Sequence, residues 1–141
     1  MTLNTYLTFR DTCREAFEFY RSVFGGEFST LQTFGDGPPD MGVPDEAKDL
    51  IMHVSLPVGD SILMGSDANP AADSGPIVGN NFSISYSPPD RDVADRAFAA
   101  LSDGGEVAMP MAEMFWGAYF GSCTDRFGIA WMINVEPPLS D

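Results

Sequence analysis

Hydrophobic and polar residues follow a pattern that occurs twice in this chain. Residues 4–9 alternate between polar and apolar side chains, which predicts a half-buried strand. A helix is predicted next, because Thr12 and Glu15 form a capping-box pattern and an apolar stripe follows at helical spacing. That stripe comprises Cys13, Ala16, Phe17, Tyr20, Val23 and Phe24. The glycines at 25–26 predict a left-handed helix end, followed by a strand over 27–34.

The second half repeats this order. Residues 82–86 alternate like the first strand, and 104–106 read Gly-Gly-Glu as 25–27 do, an offset of 79 residues. The same offset places Asn4 opposite Ser83. The stripe of the second predicted helix consists of Val93, Ala94, Ala97, Phe98 and Leu101. The repeat indicates two related units.

Further strands complete each unit. They are predicted over residues 50–57, 61–66, 106–113, 117–123 and 129–135, with residues 125–128 as the last hairpin turn. The sequence therefore predicts an α+β protein made of two βαβββ modules, residues 1–67 and 81–141, joined by a linker over 68–80 into one compact domain. The Pro- and Asp-rich loop 35–49 and the linker are either covers over a cleft or plain exposed connections.

Charge and composition narrow the classes of partner. With 21 acidic and 7 basic residues the formal charge is −14, which repels nucleic acid and anionic lipid headgroups. No apolar run approaches the roughly 18 residues that a membrane-spanning helix needs, and residues 1–6 lack the features of a signal peptide. We therefore expect a cytoplasmic protein without membrane or nucleic-acid partners. Cys13 and Cys123 are expected to be two buried thiols rather than a disulfide.

Several segments resemble one protein family. The most specific are Asp-Arg-Phe-Gly at 125–128 and Trp-Met-Ile-Asn at 131–134, and others lie at 16–26, 33–40 and 49–53. Through them the chain resembles the PhnB-like branch of the vicinal oxygen chelate superfamily, which includes glyoxalase and bleomycin-resistance proteins. The resemblance implies paired βαβββ modules whose curved mixed sheets surround a cleft, often completed by a dimer partner.

The resemblance also implies where a metal would bind. Metal-using members of the superfamily take ligands from the first and last strands of each module. The corresponding residues here are Asn4, Ser83, Met132 and either Leu63 or Met64, and none of them is His, Asp or Glu. These side chains are poor ligands for a divalent transition metal. We therefore expect neither a metal nor another cofactor.

Candidate acid–base residues are few. His53 is the only histidine, and it is either a packed imidazole with one hydrogen bond or a general base. Strand alternation predicts that Ile51 and His53 share a face. Glu113 is a second weak catalytic candidate, and Glu113 and Asp67 are either polar anchors at strand ends or solvated carboxylates. The sequence offers no Ser-His-Asp or Cys-His set for covalent catalysis.

Aromatic residues give the main indication of ligand binding, although core or interface packing would explain each one singly. Trp116 stands out because Gly117 follows it in a predicted strand. We predict a metal-free homodimer that binds a small apolar or aromatic molecule in a cleft. The predicted lining residues are Asn4, Tyr6, Ser83, Tyr86, Trp116, Trp131 and Met132.

Two other classes of function remain open. One is an enzyme, either a divalent-metal lyase or dioxygenase, or a metal-free isomerase using His53 or Glu113. The other is a non-catalytic protein that interacts through its acidic surface. Related proteins carry a 3-demethylubiquinone methyltransferase-like label, but the sequence shows no motif for the methyl donor.

Overall fold

The chain divides into two compact units, Met1–Ile77 and Val78–Asp141. The computed structural model describes residues 1–70 and 75–137, so part of the predicted linker, 71–74, and the C-terminal residues 138–141 lie outside the described residues. Each unit contains a four-stranded mixed sheet and an α-helix in the order β-α-β-β-β. The predicted α+β class and the two βαβββ modules are thus confirmed.

The first unit holds a sheet in the strand order β1-β4-β3-β2. Its elements are β1 Thr5–Phe9, α1 Cys13–Phe24, β2 Thr30–Thr33, β3 Ile51–Val58 and β4 Ser61–Asp67. β1 runs parallel to β4, and the other neighbours are antiparallel. β2 is shorter than the strand predicted over 27–34, and three short 3₁₀ turns occupy the loop that follows it.

The second unit repeats this arrangement in the order β5-β8-β7-β6. Its elements are β5 Ile84–Tyr86, α2 Arg91–Ser102, β6 Glu106–Glu113, β7 Tyr119–Thr124 and β8 Ala130–Val135. The predicted turn at 125–128 is present, because the Gly128 amide donates to the Asp125 carbonyl oxygen at 3.0 Å. β6 is an edge strand and is exposed along most of its length.

Each helix covers one face of its own sheet, as the two stripes predicted. In the first unit the ring of Phe17 meets Phe9 edge to face, with centroids 6.3 Å apart. Fully or nearly fully buried residues include Cys13, Ala16, Phe17 and Tyr20 of α1 and Leu7, Phe9, Val54, Leu56 and Leu63 of the sheet. In the second unit they include Ala94, Ala97 and Leu101 of α2 and Cys123, Trp131 and Ile133 of the sheet. Burial of these apolar groups drives the packing of helix on sheet.

The start of α1 differs from the predicted capping box. The Thr12 side chain makes no capping hydrogen bond. Instead, Asp67 at the end of β4 accepts hydrogen bonds from the Cys13 amide at 2.9 Å and from the Ile51 amide at 2.8 Å. Asp67 is only 3% exposed, so the interpretation of Asp67 as a solvated carboxylate was wrong. Its negative charge also suits the positive end of the helix dipole.

The end of α1 differs slightly as well. Gly25 donates its amide to the Arg21 carbonyl oxygen at 2.8 Å, with φ of 81° and ψ of −171°. The positive φ was predicted, but ψ is extended rather than left-handed helical. This region of backbone conformation is essentially restricted to glycine.

The two cysteines are free and buried, as expected. Burial raises the pKa of the Cys123 thiol to about 11, and burial together with the Asp67 charge raises the pKa of Cys13 further. Both side chains are therefore uncharged and unreactive at neutral pH. Across the described residues, no helix combines the length and apolar character that crossing a membrane requires.

Candidate functional site

The first sheet packs one face against α1, and within the described residues of the same unit no helix lies on its other face. Tyr6 is 47% exposed while its neighbour Leu7 is 3% exposed, so the strand turns Tyr6 away from α1. Met64 on β4 pairs with Tyr6 on β1 and with Ser55 on β3, and Ser66 on β4 pairs with Thr8 on β1. Because paired residues share a side of a sheet, the register defines a first-sheet face. It comprises Tyr6, Thr8, Thr30, Gln32, His53, Ser55, Pro57, Ile62, Met64 and Ser66.

His53 reaches this face because of a bulge in β3. Gln32 pairs with His53, whereas Thr33 pairs with Ile51, so Met52 is an extra residue on β3. The bulge shifts the alternation by one position. Ile51 is therefore fully buried, in phase with Val54, while His53 is partly exposed. The prediction that Ile51 and His53 share a face was wrong for this reason.

Tyr6 and His53 form a side-chain pair across the sheet. The Tyr6 hydroxyl oxygen lies 3.1 Å from His53 Nδ1, and the two rings are stacked with centroids 5.6 Å apart and planes 21° apart. The other ring nitrogen, Nε2, has no hydrogen-bond partner within the described part of the chain. A phenol and an imidazole in contact can both give and take protons. The pair is separated by 47 residues, so local sequence patterns do not indicate it.

The second sheet likewise packs one face against α2, and its other face has no helix among the described residues of its own unit. Ser85 pairs with Met132, and Met132 pairs with Ser122. Ser83 lies before β5 and is exposed. Met132 thus occupies in the second unit the register position that Met64 occupies in the first, which identifies Met64, rather than Leu63, as its counterpart.

Trp131 and Tyr86 lie on the opposite side of the second sheet. Trp131 is 2% exposed, and its indole N–H donates to Asp125 Oδ2 at 2.8 Å. Tyr86 pairs with the fully buried Ile133, and burial raises the pKa of its phenol. Trp131 and Met132 were both predicted to line the cleft, but side chains alternate along β8. The two residues therefore lie on opposite sides of the second sheet.

This placement predicts a structural role for Trp131. Replacing Trp131 with phenylalanine removes the N–H donor to Asp125 and leaves space in the core, which should lower the free energy of unfolding by roughly 2–3 kcal/mol. Urea unfolding followed by circular dichroism measures the loss. A variant of unchanged stability with weakened ligand binding would contradict the placement.

Trp116 and Glu113 lie near one another in sequence but outside the two helix-free faces. Trp116 is 54% exposed and lies in the turn between β6 and β7 rather than in a strand, with its ring 4.8 Å from that of Phe115. Gly117 has a φ of 96° in this turn, a backbone conformation that glycine adopts without strain, so the turn alone accounts for a glycine here. Glu113 forms an exposed ion pair with Arg91 at 3.3 Å, an arrangement typical of a solvated surface.

The loop after β2 contains a small pocket of about 250 Å³ between Phe34 and Lys48. Its walls are mostly glycine and proline. Lys48 is paired with Asp45 at 2.9 Å, which raises the pKa of Lys48 and lowers that of Asp45. The pocket therefore lacks the convergent polar side chains of a specific binding site.

Comparison with known proteins places this fold in a family. Residues 2–133 match the glyoxalase/bleomycin resistance protein/dioxygenase superfamily. The chain belongs to this superfamily. It is 32% identical to protein YjdN of Escherichia coli (strain K12) over 146 residues, covering 96% of this chain and 95% of that protein. These matches confirm the family that the sequence motifs indicated.

Solved structures of other proteins show the same fold. Protein PA1353 from Pseudomonas aeruginosa is 43% identical, with a TM-score of 0.83 over 98% of this chain and 99% of that chain. The PhnB protein from Bacillus cereus is 18% identical, with a TM-score of 0.77 over 96% of this chain and 100% of that chain. The chain thus shares its fold with this PhnB protein.

The residues at the superfamily's metal positions do not fit a divalent metal. Asn4 Oδ1 already accepts a hydrogen bond from the Ile62 amide at 3.1 Å. The remaining positions offer the Ser83 hydroxyl and the thioethers of Met64 and Met132, which are weak ligands for zinc, iron or manganese. No group of three or more His, Cys, Asp or Glu side chains suited to a metal occurs in residues 1–70 and 75–137.

Proposed function

We propose that this superfamily member is a metal-free homodimer that binds a small apolar or aromatic molecule at a helix-free sheet face. The observation that carries the proposal is the exposed Tyr6 ring beside Met64 on the first-sheet face. A flat ring next to a flexible thioether suits an aromatic ligand, since sulfur and rings attract one another. The cytoplasmic location stays a prediction.

The chemistry of the first-sheet face favours an uncharged ligand. Its ten residues include no Lys, Arg, Asp or Glu, although the whole chain has a charge of −14. An anion would find no fixed positive charge there and would be repelled by the acidic surface. Polar groups on this face, such as the hydroxyls of Thr8 and Ser66, can orient a neutral molecule.

The second sheet supports the same proposal in part. Met132, Ser85 and Ser122 give a similar thioether between two hydroxyls. Asn4 and Tyr6, joined by Met64, remain binding candidates in the first unit, and Ser83 and Met132 remain binding candidates in the second. Trp131 and Tyr86 leave it, because they lie on the side that α2 covers.

A homodimer would cover strand edges that the units leave open. β1, β2, β5 and β6 each end a sheet, and β6 exposes Val107 and Met109. Open edges with apolar side chains favour pairing with another chain, which a closed dimer limits to one copy.

Native mass spectrometry of protein purified without added metal tests the proposal, together with elemental analysis of the same sample. We expect a dimer with substoichiometric transition metal and a neutral small-molecule adduct. Met64→Glu should abolish the adduct by placing a charge on the first-sheet face. Leu31→Glu is the matched control, because Leu31 is exposed on β2 but pairs with Val54, on the α1 side. Stoichiometric metal, or an adduct that survives Met64→Glu, would contradict the proposal.

A further inference from the structure

We propose that Tyr6 and His53 form a proton relay that interconverts the keto and enol forms of a neutral, apolar carbonyl compound. The inference rests on the proposed function, because the compound must first occupy the first-sheet face. It adds a reaction and a class of substrate to that face.

The geometry supplies both partners of such a relay. The Tyr6 oxygen and His53 Nδ1 are 3.1 Å apart, within proton-transfer distance. Tyr6 is 47% exposed and His53 is partly exposed, so a bound molecule can contact both. His53 Nε2 makes no hydrogen bond in the part of the chain that the structure describes. One end of the relay is therefore the Tyr6 phenol oxygen, and the other is His53 Nε2, which is available to bind or release a proton.

The pair has two neutral forms that differ in where the protons lie. In the first, His53 Nδ1–H donates to the Tyr6 oxygen, so Nε2 is a base and the Tyr6 hydroxyl is a donor. In the second, the Tyr6 hydroxyl donates to Nδ1, so Nε2 carries the proton and the Tyr6 oxygen is an acceptor. Each form thus presents one acid and one base to a ligand.

Keto–enol conversion exchanges these two forms. Starting from the first form, Nε2 removes a proton from the carbon next to the carbonyl group. The C–H electron pair becomes the C=C bond, the carbonyl π pair moves to oxygen, and the Tyr6 hydroxyl protonates that oxygen. The Nδ1 proton passes to the Tyr6 oxygen, which leaves the enol and the second form. No proton is gained or lost overall, so no other reactant is needed.

The reverse steps return the carbonyl compound. Nε2–H protonates carbon, the Tyr6 oxygen takes the enol proton, and its own proton returns to Nδ1. If the Nε2 proton has exchanged with water in between, the product carries a hydron from the solvent.

Neighbouring residues limit the class of substrate. Met64 lies beside Tyr6 in the register, which provides an apolar surface for the body of the molecule. The first-sheet face has no Lys or Arg, so it lacks a partner for a carboxylate or phosphate on the substrate. We therefore infer an enolisable ketone or aldehyde with an apolar or aromatic body.

Deuterium incorporation into 2-tetralone in D₂O, followed by proton NMR, tests the relay. 2-Tetralone is a neutral aromatic ketone with enolisable positions, and its binding is measured separately by saturation-transfer NMR. We expect the protein to accelerate the exchange, and His53→Gln to lose about 100-fold or more of the protein-dependent rate. Tyr6→Phe keeps the ring and should lose at least about 10-fold. Both variants should still bind 2-tetralone.

Tyr119→Phe is the matched control. It also deletes a phenol that hydrogen-bonds a side chain, since Tyr119 donates to Asp95 at 2.6 Å, but Tyr119 is in the other unit. It should leave the exchange rate unchanged. Because His53 is the only histidine, its ¹⁵N signals can be assigned directly, and Tyr6→Phe should shift the balance between its two neutral forms.

The outcomes separate the relay from the binding proposal. Binding without accelerated exchange, or exchange that survives His53→Gln or Tyr6→Phe, would overturn the relay and leave binding intact. If 2-tetralone does not bind, the relay is overturned, while a neutral adduct in native mass spectrometry still supports the proposed function. If it binds equally well to Met64→Glu, both fail. Exchange lost in both relay variants, with binding retained, supports the relay.

Discussion

Asp67→Ala is expected to lower the free energy of unfolding by about 4 kcal/mol, because it leaves two buried amides without acceptors at about 1–3 kcal/mol each. One carboxylate oxygen accepts from Cys13 and the other from Ile51, so Asp67 ties the start of α1 to the start of β3. Urea unfolding followed by far-ultraviolet circular dichroism measures the loss. Hydrogen exchange at the Cys13 and Ile51 amides should accelerate even where the rest of the unit stays protected.

Two further variants separate this effect from a general loss of charge. Asp67→Asn keeps one acceptor oxygen and should retain part of the stability. Asp36→Ala is the matched control, since Asp36 also accepts a backbone amide, that of Thr33 at 3.0 Å, but in an exposed turn. The loss there should be much smaller, because water replaces the lost acceptor. Equal losses at Asp36 and Asp67 would show that burial is not the cause.

Asp67 also illustrates what the sequence could not predict. The order of strands and helices followed from local periodicity, and the stripes of α1 and α2 identified most of the buried helix residues. Helix capping was assigned locally as well, to Thr12 and Glu15. The actual acceptor for Cys13 lies 54 residues away, and only the register of β4 brings it there. Contacts over such distances leave no periodic signal.

The candidate site, like the fold, was predictable only where local sequence patterns determine the structure. Alternation applied to β8 would have separated Trp131 from Met132, so that signal was present in the sequence. In β3, strict alternation placed His53 on the wrong face. No local pattern indicated the bulge at Met52, which moves His53 to the side of Tyr6. The pairing of Tyr6 with His53 depends on both the bulge and the sheet order. Its chemistry was therefore visible only in the structure.

Gly65→Ala is expected to lower the free energy of unfolding of the first unit by about 3 kcal/mol through overpacking. A β-carbon at Gly65 would lie 2.6 Å from Phe17 Cε1 and 2.9 Å from the Leu7 carbonyl oxygen. The Phe17 ring is buried and cannot swing into solvent, and the Leu7 carbonyl belongs to β1, the parallel neighbour of β4. Relief therefore requires moving α1 or β1 rather than a single side chain.

Chemical denaturation of Gly65→Ala beside Gly79→Ala tests this account. A β-carbon at Gly79 would meet only Asn81 Oδ1 at 3.7 Å, so Gly79→Ala should change stability by no more than about 0.5 kcal/mol. Phe17→Leu costs stability alone, but in the Gly65→Ala background it removes the nearest clash, so the two losses should be less than additive. Additive losses would mean that the strain lies at the Leu7 carbonyl instead. In that case the substitution would distort the pairing of β1 with β4. This pairing also positions Tyr6 opposite Met64.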